Sequence, residues 1–249
     1  MPVIDFLDGF VEAMFKFTKI VMTFAPIGVG AAITYTIAHT GIGVLVNLAK
    51  MLVTLYVGLM IFILGGLLPM ALMFKVPIRR FLKTIAEPVA ITFATTSSDA
   101  ALPRAIENLE KLGVSRHASG LILPTGYSFN LDGTTMCLAL ASVFVAQAAG
   151  IHMTFGQQLL MMLTLILSSK GVACVPRASL IVLLGTVATF GLPVEPVVML
   201  LGIDELMEMG RSATNQIGNC LAAVVIAKSE GEFQLTPEEL APVDTARAS

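Results

Sequence analysis

Near the C-terminal end of the sequence, four polar side chains recur at helical spacing: Asp204, Glu208, Arg211 and Asn215. At about 100° per residue these intervals place all four on one stripe of a helix, with Ser212 and Asn219 at its edge. The planar guanidinium of Arg211 is suited to bind a carboxylate through two parallel hydrogen bonds. The stripe therefore predicts one wall of an anion-binding site. The alternatives are a structural ion pair of Arg211 with Asp204 or Glu208, and a helix end whose charges are solvated in the cytosol.

The chain around this stripe is apolar. Of its 249 residues, 56% are hydrophobic and 13% are charged, against about 25% charged residues in soluble domains. The ranges 20–49, 51–74 and 133–169 contain no Asp, Glu, Lys or Arg, and each is long enough to cross a bilayer. The sequence therefore predicts an integral membrane protein, in which buried charges face a polar cavity on a substrate or ion pathway. No basic patch indicates nucleic acid, and the isolated cysteines predict neither disulfides nor a metal site.

The hydrophobic pattern predicts an all-α fold with a polar, disordered tail. The predicted elements are a first helix within residues 1–40, a helix over 41–75, a segment 76–113 interrupted at Thr95–Asp99, a segment 115–150 interrupted at Asn130–Thr134, a segment 156–191 interrupted at Ser168–Gly171, a polar-striped helix over 196–228, and the tail 229–249.

The two segments 76–113 and 156–191 share one pattern, an apolar arm, a Ser-Ser tip, a proline and a second arm. Arms of about 12–18 residues are short for full spans, so each segment is predicted to be a re-entrant helical hairpin. The alternative is two ordinary helices with serine-rich loops outside the bilayer. If the hairpins return to their own side, the Lys and Arg clusters all lie in the cytoplasm, as expected of a multi-pass inner-membrane protein.

In this order the motifs resemble the dicarboxylate/amino acid:cation symporter family, which includes the glutamate transporters, in its bacterial proton/glutamate form. The motifs are Thr96-Ser97-Ser98 with Leu102-Pro103, Asn130-Leu131-Asp132-Gly133-Thr134, Ser168-Ser169-Lys170-Gly171 with Val175-Pro176, and the stripe containing Arg211. The resemblance covers Phe6 to Lys228 and corresponds to the family from its fifth transmembrane helix onward. It implies that 1–40 is a scaffold helix, that 41–228 is a mobile transport domain of the elevator type, and that the full-length protein is a homotrimer.

The resemblance also implies a substrate site. Arg211 would hold the side-chain carboxylate of the substrate, and Asn215 its main-chain carboxylate. Glu208 stands where amino-acid transporters of the family have Asp to hold the substrate ammonium. The implied substrate-binding set is Ser97, Ser98, Thr134, Val175, Asp204, Glu208, Arg211, Ser212 and Asn215.

These features predict a secondary active symporter for acidic amino acids. A C4-dicarboxylate symporter is the alternative, and it depends on the role of Glu208. Because the counterparts of the first four helices are missing, a non-transporting remnant is a further alternative, and we expect these 249 residues not to transport alone. An intramembrane hydrolase using Ser97, Ser98 or Ser169 is disfavoured because no nucleophile elbow is present, so no enzyme activity is expected.

Cation coupling is predicted from the same resemblance. Sodium-coupled relatives have Asp where this chain has Asn219, and an uncharged residue at Lys170. Since hard cations prefer oxygen ligands that include carboxylates, both differences favour protons over sodium. Glu208 is expected to pair with Arg177 and to carry a proton when that pairing is lost. The implied coupling residues are Gly126, Asn130, Asp132, Lys170, Arg177 and Asn219, with a sodium ion at Asn130 and Asp132 left open and no cofactor expected.

Overall fold

The computed structural model describes residues 23–170 and 178–234, together with the isolated positions 6, 9, 10, 13, 14, 16, 17 and 20. Within these residues the helices are α1 (Ala25–Thr40), α2 (Gly43–Met73), α3 (Ile78–Thr95), α4 (Ser98–Leu112), α5 (Arg116–Phe129), α6 (Asp132–Ala148), α7 (Phe155–Ser169), α8 (Ala178–Thr189), α9 (Glu195–Leu200) and α10 (Asp204–Ser229).

The described residues contain no β-strand, only an isolated bridge between Val114 and Phe233. The predicted all-α fold is therefore confirmed. Two stretches, Gly43–Met73 and Arg116–Ala148, are long and apolar enough to cross a membrane. The first is 31 residues long and passes through a π-helical turn at Ile63–Leu67, and large aliphatic side chains remain exposed on α2, α7 and α8. Such a surface is suited to contact lipid.

Helices α3 and α4 form an antiparallel helical hairpin. Arg104 Nε lies 3.1 Å from a carboxylate oxygen of Glu87, and Asn108 donates to the carbonyl of Thr84 at 3.1 Å. The chain reverses at Thr96, whose φ of 54° is left-handed. That this hairpin is re-entrant stays a prediction.

The interruption in the first hairpin is shorter than predicted. It comprises Thr96 and Ser97 instead of Thr95–Asp99, because Ser98 already begins α4. Asp99 lies in the first turn of that helix, where a negative charge is stabilised by the helix dipole.

Helices α7 and α8 correspond to the arms of the second predicted hairpin. Thr154 and Gln157 form a capping box that begins α7, a motif that satisfies two otherwise unpaired amides. The two helices pack against each other. The tip between them, 171–177, lies outside the described residues, and with it the predicted contributions of Val175 and Arg177.

The break between α5 and α6 is also narrower than predicted. It comprises Asn130 and Leu131 instead of Asn130–Thr134. Gly133 and Thr134 are helical because Asn215 of α10 accepts hydrogen bonds from both of their amides, at 2.8 and 3.4 Å. A cap supplied by another helix therefore allows α6 to begin earlier than the local sequence indicates.

The apolar core consists of two clusters with the polar part of α10 between them. One cluster packs α2 against α6, α7, α8 and α9, and it includes Met207 of α10. The other packs α3, α4 and α5 against the end of α2, and it includes Leu221 and Val224 of α10. The polar stripe of α10 thus lies between the two clusters and is enclosed by neighbouring helices.

The first residues after α10 are ordered, although the sequence predicts a disordered tail from residue 229. Ser115 donates its backbone amide to the carbonyl of Glu232 at 3.2 Å, and the amide of Gln234 donates to the carbonyl of Gly113 at 2.8 Å. Lys228 also donates to the carbonyl of Lys75 at 2.7 Å. These residues are ordered because they satisfy backbone groups at neighbouring helix ends. The rest of the predicted tail, 235–249, lies outside the described residues.

Candidate substrate-binding site

The polar stripe of α10 is buried along its length. Asp204, Glu208, Arg211, Asn215 and Asn219 are each at most 4% exposed. Charged side chains are almost never fully buried unless they are paired. The burial of this stripe therefore requires specific partners.

Arg211 makes polar contacts on both sides of its guanidinium. Nη2 forms an ion pair with Glu208, one turn earlier on α10. Nη1 donates to the hydroxyl of Thr134 on α6 at 3.4 Å. Nε is buried and has no hydrogen-bond partner among the described residues. Arg211 therefore has an unpaired Nε–H and holds a carboxylate at Nη2.

Thr134 joins the α10 stripe to the start of α6. Its hydroxyl oxygen accepts from Arg211 and, at 2.8 Å, from the amide of Asn215. A hydroxyl has two acceptor positions and one donor hydrogen. Because both acceptor positions are used by donors, the Thr134 O–H can be donated to a ligand oxygen.

Asn215 is held on both sides of its side chain. Its oxygen accepts from the amides of Gly133 and Thr134, and its NH2 group donates to the Thr134 hydroxyl. An NH2 group has two hydrogens, so a second N–H is left for a ligand. The N-terminal end of α6 adds a partial positive charge beside it. The group formed by Thr134, Glu208, Arg211 and Asn215 is called the carboxylate site below.

Glycines allow the close approach of helices around this site. A Cβ added to Gly133 would collide with the backbone carbonyl of Arg211. A Cβ added to Gly210 would lie 2.9 Å from the ring of Tyr56 on α2. The hydroxyl of Tyr56 donates to the carbonyl of Leu206 at 2.8 Å. The backbone carrying Glu208 and Arg211 is thus held from two sides.

A second polar cluster surrounds Asn219, which lies two turns beyond Arg211 on α10. The terminal atoms of the Asn130 amide lie 3.1 Å from Asn219 Oδ1 and 3.2 Å from the carboxylate oxygens of Asp132. Because Gly126 has no side chain, the Asn219 amide fits beside it, and because Gly218 has none, the Asp132 carboxylate fits beside it.

This second cluster lines a cavity of about 740 Å³ between α2, α5 and α10. It presents amide and carboxylate oxygens, the ligand types that hard cations prefer. No group of three or more His, Cys, Asp or Glu side chains that could hold a metal occurs in the described part of the chain.

Lys170 lies at the break between α5 and α6. Its Nζ donates to the carbonyl of Phe129, the last residue of α5, at 2.6 Å. The adjacent Ser169 hydroxyl is 3.5 Å from that of Thr135. The end of α7 thus contacts both halves of the broken helix.

The first hairpin tip is separate from this hydrogen-bond network. Among the described residues, no hydrogen bond joins Ser97 or Ser98 to the carboxylate site, and the amide of Ser97 donates to Thr95 Oγ1 at 3.3 Å. Ser212 is buried on α10. The roles predicted for these three serines stay predictions.

Three residues that are not among the candidates from the sequence contribute to these arrangements: Tyr56, Gly210 and Phe129. Gly210 has a usable signal, since a glycine inside a helix is unfavourable and often marks a close approach. Tyr56 and the Phe129 carbonyl have no such signal, because a backbone acceptor and a distant aromatic residue look ordinary in sequence.

The profile of the sodium:dicarboxylate symporter family matches residues 1–229. The chain belongs to this family. It is 41% identical, over 232 residues, to the proton/sodium-glutamate symport protein of Bacillus caldotenax, covering 93% of the chain and 55% of that protein. It is 43% identical, over 235 residues, to the C4-dicarboxylate transport protein of Solibacter usitatus, covering 94% of the chain and 55% of that protein.

Family membership confirms the resemblance, and the family is one of symporters and not of enzymes. The chain spans about half the length of the curated relatives it matches.

Proposed function

We propose that this chain provides the substrate-binding part of a secondary active symporter for acidic amino acids. The observation that carries the proposal is the buried Arg211, whose guanidinium is within reach of the Thr134 hydroxyl and is paired with Glu208. The protein would be a multi-pass protein of the bacterial inner membrane, homotrimeric at full length, and would use elevator-type alternating access. The transport domain would comprise 41–228 and the scaffold helix 1–40.

The carboxylate site supports a simple order of events. Before substrate binds, the carboxylate of Glu208 occupies one side of the Arg211 guanidinium. An incoming carboxylate takes that position and gains the O–H of Thr134 and an N–H of Asn215. Charge-assisted hydrogen bonds of this kind are worth roughly 1.5–3 kcal/mol each. The displaced Glu208 then faces the substrate, where it can bind an α-ammonium group.

Calorimetry on the purified chain tests the assignment. Arg211→Lys keeps the charge but removes the planar guanidinium. We expect it to weaken L-aspartate and L-glutamate binding by about 10-fold or more, since at least one charge-assisted hydrogen bond is lost. The matched control is Arg116→Lys, since Arg116 has 87% of its side chain exposed. Equal affinities for the Arg211 variant and the unaltered chain would contradict the proposal.

Proton coupling is part of the proposal. Glu208 is buried, so its carboxyl is expected to carry a proton whenever it is paired neither with an arginine nor with a substrate ammonium group. Asn219 and Lys170 reduce the anionic character expected of a sodium site. In proteoliposomes containing a full-length protein with these residues, uptake should follow an inward pH gradient when choline is the only other cation. Uptake that requires sodium and ignores the pH gradient would refute proton coupling.

A C4-dicarboxylate is the second candidate substrate, and the Glu208–Arg211 ion pair favours it. If Glu208 stays on Arg211 when substrate is bound, no carboxylate is left for an ammonium group, and a substrate without one binds as well. Relatives of both kinds are about equally similar to the chain. Competition between L-aspartate and succinate, which differ only in the amino group, distinguishes the two.

A further inference from the structure

A cavity of about 750 Å³ lies between α2, the C-terminal half of α6 and α9, apart from the sites described above. Its volume is in the range of small-molecule sites, about 300–1,000 Å³. Most of its wall is apolar, and its polar side chains are Asn47, Lys50 and Thr54 of α2 and Gln147 of α6. The three α2 residues share one helix face because they are three, four and seven residues apart. This cavity is called the Lys50 groove below.

The ammonium group of Lys50 has no protein counter-charge in this groove. No Asp or Glu is among the lining residues, and within the described part of the chain Lys50 Nζ makes no ion pair or hydrogen bond. The carbonyls at the end of α6 accept from the backbone amides of residues 149–151 instead. Because a charge in a membrane segment is costly unless it is paired, the groove requires an anion that these residues do not supply.

The position of Lys50 along α2 places it near lipid headgroups. The helix is 31 residues long, about 46 Å at 1.5 Å per residue, close to the thickness of a bilayer with its headgroups. A hydrocarbon core of about 30 Å centred on α2 leaves about 8 Å of the helix among the headgroups at each end. Lys50 is the eighth residue of α2, about 10 Å from its start. Its flexible side chain can therefore extend from the edge of the hydrocarbon to a headgroup phosphate.

The surface beside the groove faces lipid. Val46, Val53 and Val57 of α2 are each more than half exposed, and their spacing places them on the same side of the helix as Lys50. Exposed aliphatic side chains on a membrane-spanning helix are suited to contact acyl chains. Lys50 thus lies between a lipid-facing stripe and the groove, which is open to the same lipids.

We infer that the Lys50 groove binds one anionic phospholipid from the leaflet in which α2 begins. The phosphate of the lipid lies against the Lys50 ammonium, and the side-chain amides of Asn47 and Gln147 are further donors to its oxygens. An acyl chain lies along the apolar wall that includes Met51 and Phe144.

The charge of the groove selects the class of lipid. A zwitterionic headgroup brings an ammonium group of its own, and no lining carboxylate can pair with it. An anionic headgroup leaves its phosphate charge for Lys50 alone. The inference goes beyond the proposed function and rests only on α2 crossing the membrane.

Fluorescence quenching of a single introduced tryptophan tests the site, because the chain contains no Trp. Val53→Trp places the indole one turn after Lys50 on the lipid-facing stripe. The protein is reconstituted in phosphatidylcholine vesicles that contain a fixed fraction of lipid with brominated acyl chains, either phosphatidylglycerol or phosphatidylcholine. The ratio of quenching by the two lipids measures the preference for the anionic one beside the indole.

For Val53→Trp we expect a preference for phosphatidylglycerol of about fivefold, the effect of one lysine near an anionic lipid. Adding Lys50→Met should abolish the preference, because the only charge in the groove is removed. Adding Lys83→Met, which removes an exposed lysine of α3, should leave it unchanged. If the Lys50→Met protein does not accumulate, Lys50→Gln replaces it, since glutamine also lacks the charge.

Leu160→Trp is the positional control. Leu160 is exposed on α7, and the two brominated lipids should quench the indole there equally, which also shows that the protein is in the bilayer. A preference that survives Lys50→Met, or one that is as large in Leu160→Trp, would overturn the inference. Quenching of Leu160→Trp but not of Val53→Trp would show that protein covers the groove, and would overturn it as well. Because neither substrate nor an ion gradient is present, failure of the proposed function would leave this test unaffected.

Discussion

The substitution Glu208→Gln separates the two substrate classes. Glutamine has almost the same size as glutamate and cannot balance the charge of either Arg211 or a substrate ammonium. Succinate, which has no ammonium, should bind more tightly to the variant, because the carboxylate that competes for Arg211 is gone. L-aspartate gains the same access to Arg211 but loses the partner of its ammonium group. The substitution should therefore move the affinities of the two ligands apart.

The magnitude follows from the contact that only aspartate loses. A hydrogen bond between charged groups contributes roughly 1.5–3 kcal/mol, which is about 10- to 150-fold in Kd. Effects on Arg211 and on folding are common to both ligands within one variant. The ratio of the aspartate Kd to the succinate Kd should therefore rise by about 10- to 150-fold.

Isothermal calorimetry of the purified chain, with each ligand titrated separately, measures this ratio. Glu205→Gln is the control, since Glu205 is one turn away on α10 and exposed. Its ratio should equal that of the unaltered chain. If the ratio for Glu208→Gln changes less than about twofold, which is far below the value of one charged hydrogen bond, Glu208 does not bind the ammonium and the amino-acid assignment is refuted.

Two further predictions concern packing and the extent of the chain. Gly133→Ala should lower stability by about 1–3 kcal/mol and weaken substrate binding, because the added methyl group meets the rigid backbone carbonyl of Arg211. Gly185→Ala in α8 is the control, because the added methyl group has no atom within 4 Å, and it should lower neither stability nor substrate binding. Equal Tm values for the two variants would contradict the close contact between Gly133 and Arg211. The chain 1–249 reconstituted alone should show no saturable, gradient-driven glutamate uptake above empty liposomes, because a domain that moves against a scaffold needs both bodies. Uptake above that background would show that a smaller unit suffices.

The polar stripe of α10 could be predicted from the sequence alone. The spacing of Asp204, Glu208, Arg211 and Asn215 depends only on helix geometry, and all four are buried on that helix. The apolar composition likewise predicted helices that can span a membrane. The motif Asn130–Thr134 indicated a broken helix, because a polar, glycine-containing run interrupts two apolar stretches.

The length of that break could not be predicted, because the cap that shortens it comes from another helix. Asn215 is 82 residues from Gly133 in sequence. Local propensity describes Gly133 and Thr134 as loop residues, whereas the oxygen of Asn215 satisfies their amides and makes them helical. The same reason applies to Glu232 and Gln234, which are ordered by the turn after α4.

Sequence by itself determined which side chains of α10 share a face and that this face must be enclosed by other helices, since spacing along one helix is a local property. The tertiary structure alone decided what each side chain contacts. Arg211 pairs with Glu208 and reaches Thr134, and Lys170 binds the carbonyl of Phe129. The physical reason is that a hydrogen bond requires two groups about 3 Å apart, and the distance between residues on different helices is set by how the whole chain packs.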